Sequence, residues 1–210
     1  MSPRTEVVNK RIRDERREQI LLAAVRVFAH KGLSATKITD IAAAAGISQG
    51  LIHHYFDSKE SVFTAAAELA IVSGMDATIA AIESTDQQPW DRLVAIYEKW
   101  LESINSKPQY DHLLMIVQCL INEDIPPGTR ELVAKHGHTL FLNFVQLIRD
   151  GQAAEQIIAG HPEELAFIFI STIQGLVLTQ LTRQIFSNDP DYPQSGAMPR
   201  AETVLRLLKA

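Results

Sequence analysis

The sequence predicts an all-α protein, and three observations carry that prediction. Apolar residues recur at helical spacing along nearly the whole chain, no stretch combines strict alternation with β-branched enrichment, and Pro and Gly fall as punctuation between the periodic segments. The chain has 210 residues, 46% hydrophobic and 21% charged, which is ordinary globular usage and far from that of a disordered polymer. A chain of this length holds one large domain or two small ones, either able to bury a core. The expected division is a basic flexible arm over 1–14, a helical head over 15–75 and a helical body over 76–210.

Each element has its own signal. Past the polar, basic arm, Ile20, Ala24, Val27 and Phe28 form the buried stripe of a first helix that stops at Gly32. Ile38, Ile41, Ala42 and Ala45 mark a short second helix, with Thr36 offering a hydroxyl to its first turn and Gly46 ending it. Ser48 is a natural N-cap for a third segment of about two turns that buries Ile52 and Phe56. Asp57-x-x-Glu60 has the pattern of a capping box and opens a long helix through Val62, Phe63, Ala66, Leu69 and Ala70. Pro89 then stands in the first turn of a helix carrying Trp90, Leu93, Val94, Tyr97, Leu101 and Ile104, and Pro108 introduces another through Leu113, Leu114, Val117, Leu120 and Ile121. Ile125-Pro126-Pro127-Gly128 reads as a loop, and Thr129 to Asp150 as a long amphipathic helix ended by Gly151. The helix from His161-Pro162 to Phe186 is apolar on nearly every side from Leu165 onward and needs partners all round. Asn188 to Pro199 reads as a loop before a last short helix through Val204, Leu205 and Leu208.

Charge is distributed unevenly. The formal net charge is −5, yet residues 1–60 carry ten bases against seven acids, and the remaining residues carry ten bases against eighteen acids. A basic head on an acidic body suits a head that faces polyanionic phosphates. The single cysteine, Cys119, excludes an intramolecular disulfide, and the charged N-terminus lacks the apolar run of a secretory signal, so a cytoplasmic location is expected. The apolar stretch from Leu165 to Leu178 is interrupted by Ser171, Thr172 and Gln174 and falls short of the roughly 18 to 20 residues that span a bilayer, so no membrane partner is expected.

The functional signal lies in residues 36–56, two short helices joined by Gly46-Ile47-Ser48, which is the pattern of a helix-turn-helix. In that geometry the second helix enters the major groove of double-stranded DNA with its first turn at the base edges. Gln49 stands there, and a glutamine pairs bidentately with adenine N6 and N7, worth about 1–3 kcal/mol of discrimination. Gly50 lets the backbone come close, Leu51 is placed against a thymine methyl, and His53 projects from the same face. His54, Tyr55 and Lys59 are placed for phosphate oxygens. The helix N-termini at Thr36 and Lys37, and again at Ser58 and Lys59, offer amide donors to the same backbone.

From Phe28 to Lys59 the chain resembles the DNA-binding head of the TetR family of bacterial regulators. The matching residues are Phe28, Gly32, Thr36, Ile41-Ala42, Ala45-Gly46-Ile47-Ser48, Gly50, and Tyr55-Phe56 followed by Ser58-Lys59-Glu60. His53 departs from the family, which most often has tyrosine there. The resemblance implies a three-helix head, a fourth helix linking it to the body, and a homodimer built on the last two long helices. It also implies an inverted-repeat operator, with heads about 34–36 Å apart to meet successive major grooves, and a small-molecule effector that shifts the head spacing. On these grounds the sequence reading is a ligand-responsive DNA-binding repressor, not an enzyme and without a cofactor.

Plainer readings stand beside each of these. Two short helices also make an ordinary hairpin in a bundle, and the basic arm from Arg4 to Arg17 reads either as a contact to the minor groove or phosphates or as a solvated tail. Adjacent His53 and His54 do not share a helix face, nor do His136 and His138, so no metal site is expected. Cys119 raises redox sensing, against the plainer role of a small core residue. Tyr97, Trp100, Met115, Cys119, Phe141, Phe144, Phe167 and Gln174 are the candidate lining of an effector pocket, and core packing explains the apolar ones equally well. A different class of protein, a helical small-molecule binder or enzyme whose head makes protein contacts, is separated from the regulator by whether the chain binds duplex DNA selectively.

Overall fold

The computed structural model describes residues 3–84, 86–185 and 198–210. In chain order these form α1 (Pro3–Ala35), α2 (Ile38–Ala45), α3 (Gln49–Tyr55), α4 (Lys59–Glu83), α5 (Pro89–Asn105), α6 (Lys107–Ile121), α7 (Pro127–Ala153), α8 (Pro162–Ile185) and α9 (Ala201–Val204), followed by a single 3-10 turn at Leu205–Leu207. The fold is all-α; the extended pairing among the described residues is an isolated bridge between Ile157 and Lys209. Phe186 and most of the loop expected over Asn188 to Pro199 lie outside the described residues.

The chain divides into two compact units, Met1–Gly74 with Pro108–His136, and Met75–Lys107 with Gly137–Ala210. The first compact unit groups residues 1–74 with α6 and the first part of α7. Helical periodicity shows that a face is buried, but not against which neighbour.

In the first unit, α1 contributes Ile20, Ala24 and Phe28, α2 contributes Ile41, α3 contributes Ile52, and α4 contributes Val62, Phe63 and Ala66, all essentially without solvent exposure. Phe28 and Phe63 meet edge to face with ring centroids 5.0 Å apart, an arrangement that suits the aromatic quadrupole. Met115 and Cys119 of α6 and Ile125 complete this core. Gly32, at φ 71° and ψ 174°, interrupts α1 where the sequence put its end. At the other end, residues 3–14 belong to α1, so the expected arm is helical from Pro3. The start of α4 is also displaced by one residue: Ser58 and Ser61 cap each other through Ser61 N to Ser58 Oγ at 3.0 Å and Ser58 N to Ser61 Oγ at 3.2 Å, in place of the Asp57 and Glu60 pair.

The second unit packs Leu93, Ile96 and Tyr97 of α5 against Phe144, Leu147 and Ile148 of α7 and Phe169 and Ile173 of α8. Trp100, Phe144 and Phe169 cluster with ring centroids 5.1 to 6.3 Å apart. The C-terminal residues close this unit, with Leu205 and Leu208 buried and Tyr97 Oη donating to the carbonyl of Pro199. Gly151 does not end α7, which continues to Ala153. It allows the close approach of Ile157, whose Cδ1 lies 2.3 Å from where a Cβ would stand. By length and composition alone α4 and residues 162–180 of α8 are long and apolar enough to cross a membrane, a test that buried core helices also meet. In α4 the apolar residues Val62, Phe63, Ala66, Ala67 and Ala70 are buried in the first core.

Candidate nucleic-acid interface

The turn between α2 and α3 is built from local backbone chemistry. Gly46 takes the left-handed conformation, φ 68° and ψ 33°, which reverses the chain and is strained for residues with a Cβ. Its amide donates to Ala43 O at 3.2 Å and that of Ile47 to Ala42 O at 3.0 Å, so carbonyls left open at the end of α2 are satisfied. Ser48 then enters extended backbone, φ −76° and ψ 149°, and its hydroxyl accepts from Leu51 N at 3.3 Å as the N-cap of α3.

With α3 started, its periodicity sorts the side chains. Ile52 is fully buried and Phe56, at its C-cap, is 7% exposed. Gln49, Gly50, His53 and His54 are exposed and Leu51 is half-buried. Gln49 Nε2 lies 3.4 Å from His53 Nε2 one helical turn later, so the two expected base-reading polar groups are brought side by side. Tyr55 is half-buried and meets His54 edge to face at 5.4 Å.

Thr36, Lys37, Ser58 and Lys59 are arranged differently from the sequence reading. Thr36 is 2% exposed and its hydroxyl donates to Gly32 O at 2.6 Å, so its side chain braces the chain between α1 and α2; Lys37 holds the N-cap of α2. The amide of Lys37 donates to Asp40 Oδ2 at 3.0 Å, and Lys31 Nζ lies 3.1 Å from the same oxygen. Hydrogen bonding to the Lys37 amide, reinforced by Lys31, lowers the Asp40 carboxyl below its ordinary range. An internal anion thus occupies this helix N-terminus, leaving the exposed ammonium of Lys37 to face outward. At α4 the Ser58 amide is taken by Ser61, and Lys59 Nζ donates to Leu33 O at 2.8 Å, tying α4 to the end of α1. That ammonium has further donors for a phosphate.

Two long-range contacts that sequence reasoning missed hold α1 against this surface. The Arg17 guanidinium lies 5.3 Å from the centroid of the Phe56 ring, and Gln19 Nε2 donates to Ala45 O at 2.7 Å at the end of α2. No local spacing signals either, because the partners are far apart in sequence.

The candidate effector lining is divided between the two units. Met115 and Cys119 lie in the first core, whereas Tyr97, Trp100, Phe141 and Phe144 belong to the second. Phe167 is 65% exposed and Gln174 is also exposed. Within the second unit, the gap lined by Tyr97, Trp100, Ile104, Ile173 and Val177 has a volume of about 10 Å³, barely that of a water. Burial pushes the Cys119 thiol up to about 12, so it stays protonated and a poor nucleophile, which counts against the redox-sensing alternative.

The family profile described as bacterial regulatory proteins, tetR family, matches residues 20–66. The HTH-type transcriptional repressor KstR2 of Rhodococcus jostii (strain RHA1) is 35% identical over 115 residues, 47% of this chain and 56% of that protein. The HTH-type transcriptional activator FasR of Mycolicibacterium smegmatis is 31% identical over 101 residues, 48% of this chain and 46% of that protein. The matched stretch spans about half the length of these curated relatives. Among solved structures, a TetR-family transcriptional regulator from Agrobacterium tumefaciens superposes with a TM-score of 0.73 at 21% identity, covering 94% of this chain and 99% of that one. A protein from Saccharomonospora viridis solved in complex with choline gives 0.70 at 23% identity, covering 92% and 93%. These two likenesses are of fold. The head residues from Ile20 to Ala66 carry the sequence match, and over that segment the chain is similar to the tetR family of bacterial regulatory proteins.

Proposed function

We propose that the chain is a transcriptional repressor that binds an inverted-repeat DNA operator as a homodimer and releases it when a small molecule binds the body. The observation that carries this reading is the polarity of α3: Ile52 and Phe56 are buried while Gln49, His53 and His54 stand exposed on a capped two-turn helix. In this reading Gln49, Leu51 and His53 address base edges, and Lys37, His54, Tyr55 and Lys59 address phosphates. Residues 15–75, preceded by the basic arm over 1–14, act as the DNA-binding part and 76–210 as the effector and dimerisation part, in the cytoplasm.

The exposed apolar face of α8 supports dimerisation through the last two long helices. Phe167, Ile168 and Leu178 are 65%, 43% and 58% exposed, and Leu142 of α7 is 51% exposed. Ser171, Gln174 and Gly175 continue that face of α8 at helical spacing, and glycine permits close helix approach. Small-molecule control is supported by the choline complex of the Saccharomonospora viridis protein. A repressor is favoured by likeness to KstR2, while the likeness to the activator FasR makes the sign of regulation a matter for measurement.

Binding to the DNA upstream of the chain's own coding sequence tests the reading. Salt-sensitive, sequence-selective binding is expected, and Lys37→Ala should weaken binding to all sequences alike and flatten the salt slope by about 0.9 for each phosphate no longer neutralised. Lys37 suits this test better than Lys59, whose ammonium also bonds Leu33 O. Binding with no sequence selectivity, or none at all, would leave a helical small-molecule binder or enzyme as the better reading.

A further inference from the structure

Beyond the helix-turn-helix, α1 carries a line of cations. Lys10, Arg13 and Arg17 continue, at spacings of three or four residues, the stripe of Ile20, Ala24 and Phe28. Those three apolar residues have no solvent exposure, which fixes the direction of the stripe: it faces the rest of the head. Arg17 is the first member beyond the core, and its guanidinium sits over the ring of Phe56 at the end of α3. Arg13 and Lys10 lie about one and two turns further out and are exposed. At about 1.5 Å per residue, Lys10 stands roughly 10 Å beyond Arg17 along the axis.

The rest of this segment is arranged differently. Arg11 pairs with Glu15 at 3.3 Å, and the exposed apolar side chains of Val8 and Ile12 fall on the face opposite the cations. Two acids stand near the line by helical spacing, Glu6 four residues before Lys10 and Asp14 next to Arg13.

We infer that the ridge of Lys10, Arg13 and Arg17 is a second nucleic-acid contact surface, which engages duplex phosphates outside the half-site read by α3. The inference rests on the regulator reading above. The side of α1 that faces the core changes from apolar to basic where it overhangs the core, and Arg17 joins that overhang to the end of α3. Each strand presents a phosphate about every 3.4 Å of duplex axis, so an overhang of roughly 10 Å laid along that axis spans about three of them. Each cation set against a phosphate releases condensed counterions, a gain available whatever the flanking sequence.

The test uses the full chain and Lys10→Ala/Arg13→Ala, with Arg17 kept so that its packing on Phe56 survives. Fluorescence anisotropy is read across a salt series on two duplexes, one ending at the half-site boundaries and one with a further helical turn on each side. Wild type should bind the extended duplex more tightly and with a steeper salt slope than the trimmed one. The double variant should match wild type on the trimmed duplex and in thermal melting, and should lose the gain from the flanks. Two phosphates left without a cation at each of two heads lower the slope by about 3 to 4 and the affinity for the extended duplex by at least about tenfold near 0.1 M salt. Lys10→Arg/Arg13→Lys should keep the gain. Flanks that add nothing for wild type, a variant that still gains from them, or an equal loss on both duplexes overturns the inference while the regulator reading stands. A wild type that binds neither duplex overturns both.

Discussion

Replacing Gly46 by alanine isolates the conformational demand of the turn between α2 and α3. The backbone there is left-handed, at φ 68° and ψ 33°, and a Cβ at this position would meet nothing within 4 Å. No clash enters, so the cost is that of holding an L-residue in the left-handed region, about 1–2 kcal/mol. For a chain of this size about 1 kcal/mol shifts Tm by roughly 2–4 °C, so Gly46→Ala should lower Tm by about 2–8 °C. Asparagine tolerates this conformation, and Gly46→Asn should fall well short of that loss. Urea unfolding followed by circular dichroism measures both variants, with an unchanged m-value showing that the unfolded state is not the source. If alanine proves neutral, or asparagine is as damaging as alanine, the turn does not have the left-handed geometry and the placement of α3 fails with it.

Two further outcomes follow from the packing. Gly151→Ala would set a Cβ 2.3 Å from Ile157 Cδ1 and should destabilise by about 1–3 kcal/mol, as overpacking does, whereas a helix-ending glycine would yield mainly to conformational cost; in an Ile157→Ala background, itself destabilised by the lost core packing, the same glycine change should cost less, a coupling read from the double-mutant cycle. Cys119, buried and pushed up to about 12 from 9.0, should resist iodoacetamide in the native protein and react at the rate of unfolding. Because its folded value is raised, its contribution to stability is full below about pH 9 and is lost as pH rises towards about 12, a loss that Cys119→Ala should lack.

The head was legible because its signals are local. Ser48 as N-cap, Gly46 at the C-cap of α2, and Ile52 with Phe56 four residues apart all act within one or two turns, and the structure has each in its expected role. Legibility fell where two caps compete within a residue of each other. At α2 the N-cap falls on Lys37 in place of Thr36, with the Lys37 amide bonded to Asp40, and at α4 a serine pair displaces Asp57 and Glu60. It fell further where partners are distant in sequence. Cys119 and Met115 look like pocket residues on an amphipathic helix, and only tertiary packing assigns them to the core of Phe28 and Phe63. Gly151 carried the right residue type and the wrong reason, since a glycine that ends a helix and one that admits Ile157 are identical in sequence.

The central claim is that the exposed side of α3 reads bases, and selection of bound duplexes from a randomised pool, done in parallel for wild type and Gln49→Ala, tests it most directly. The account predicts a two-fold symmetric site for wild type, with half-sites about one helical turn apart or a multiple of it, and for Gln49→Ala the same site with preference lost at one position of each half. Identical profiles for the two proteins, or a wild-type pool with no symmetric enrichment, would contradict it.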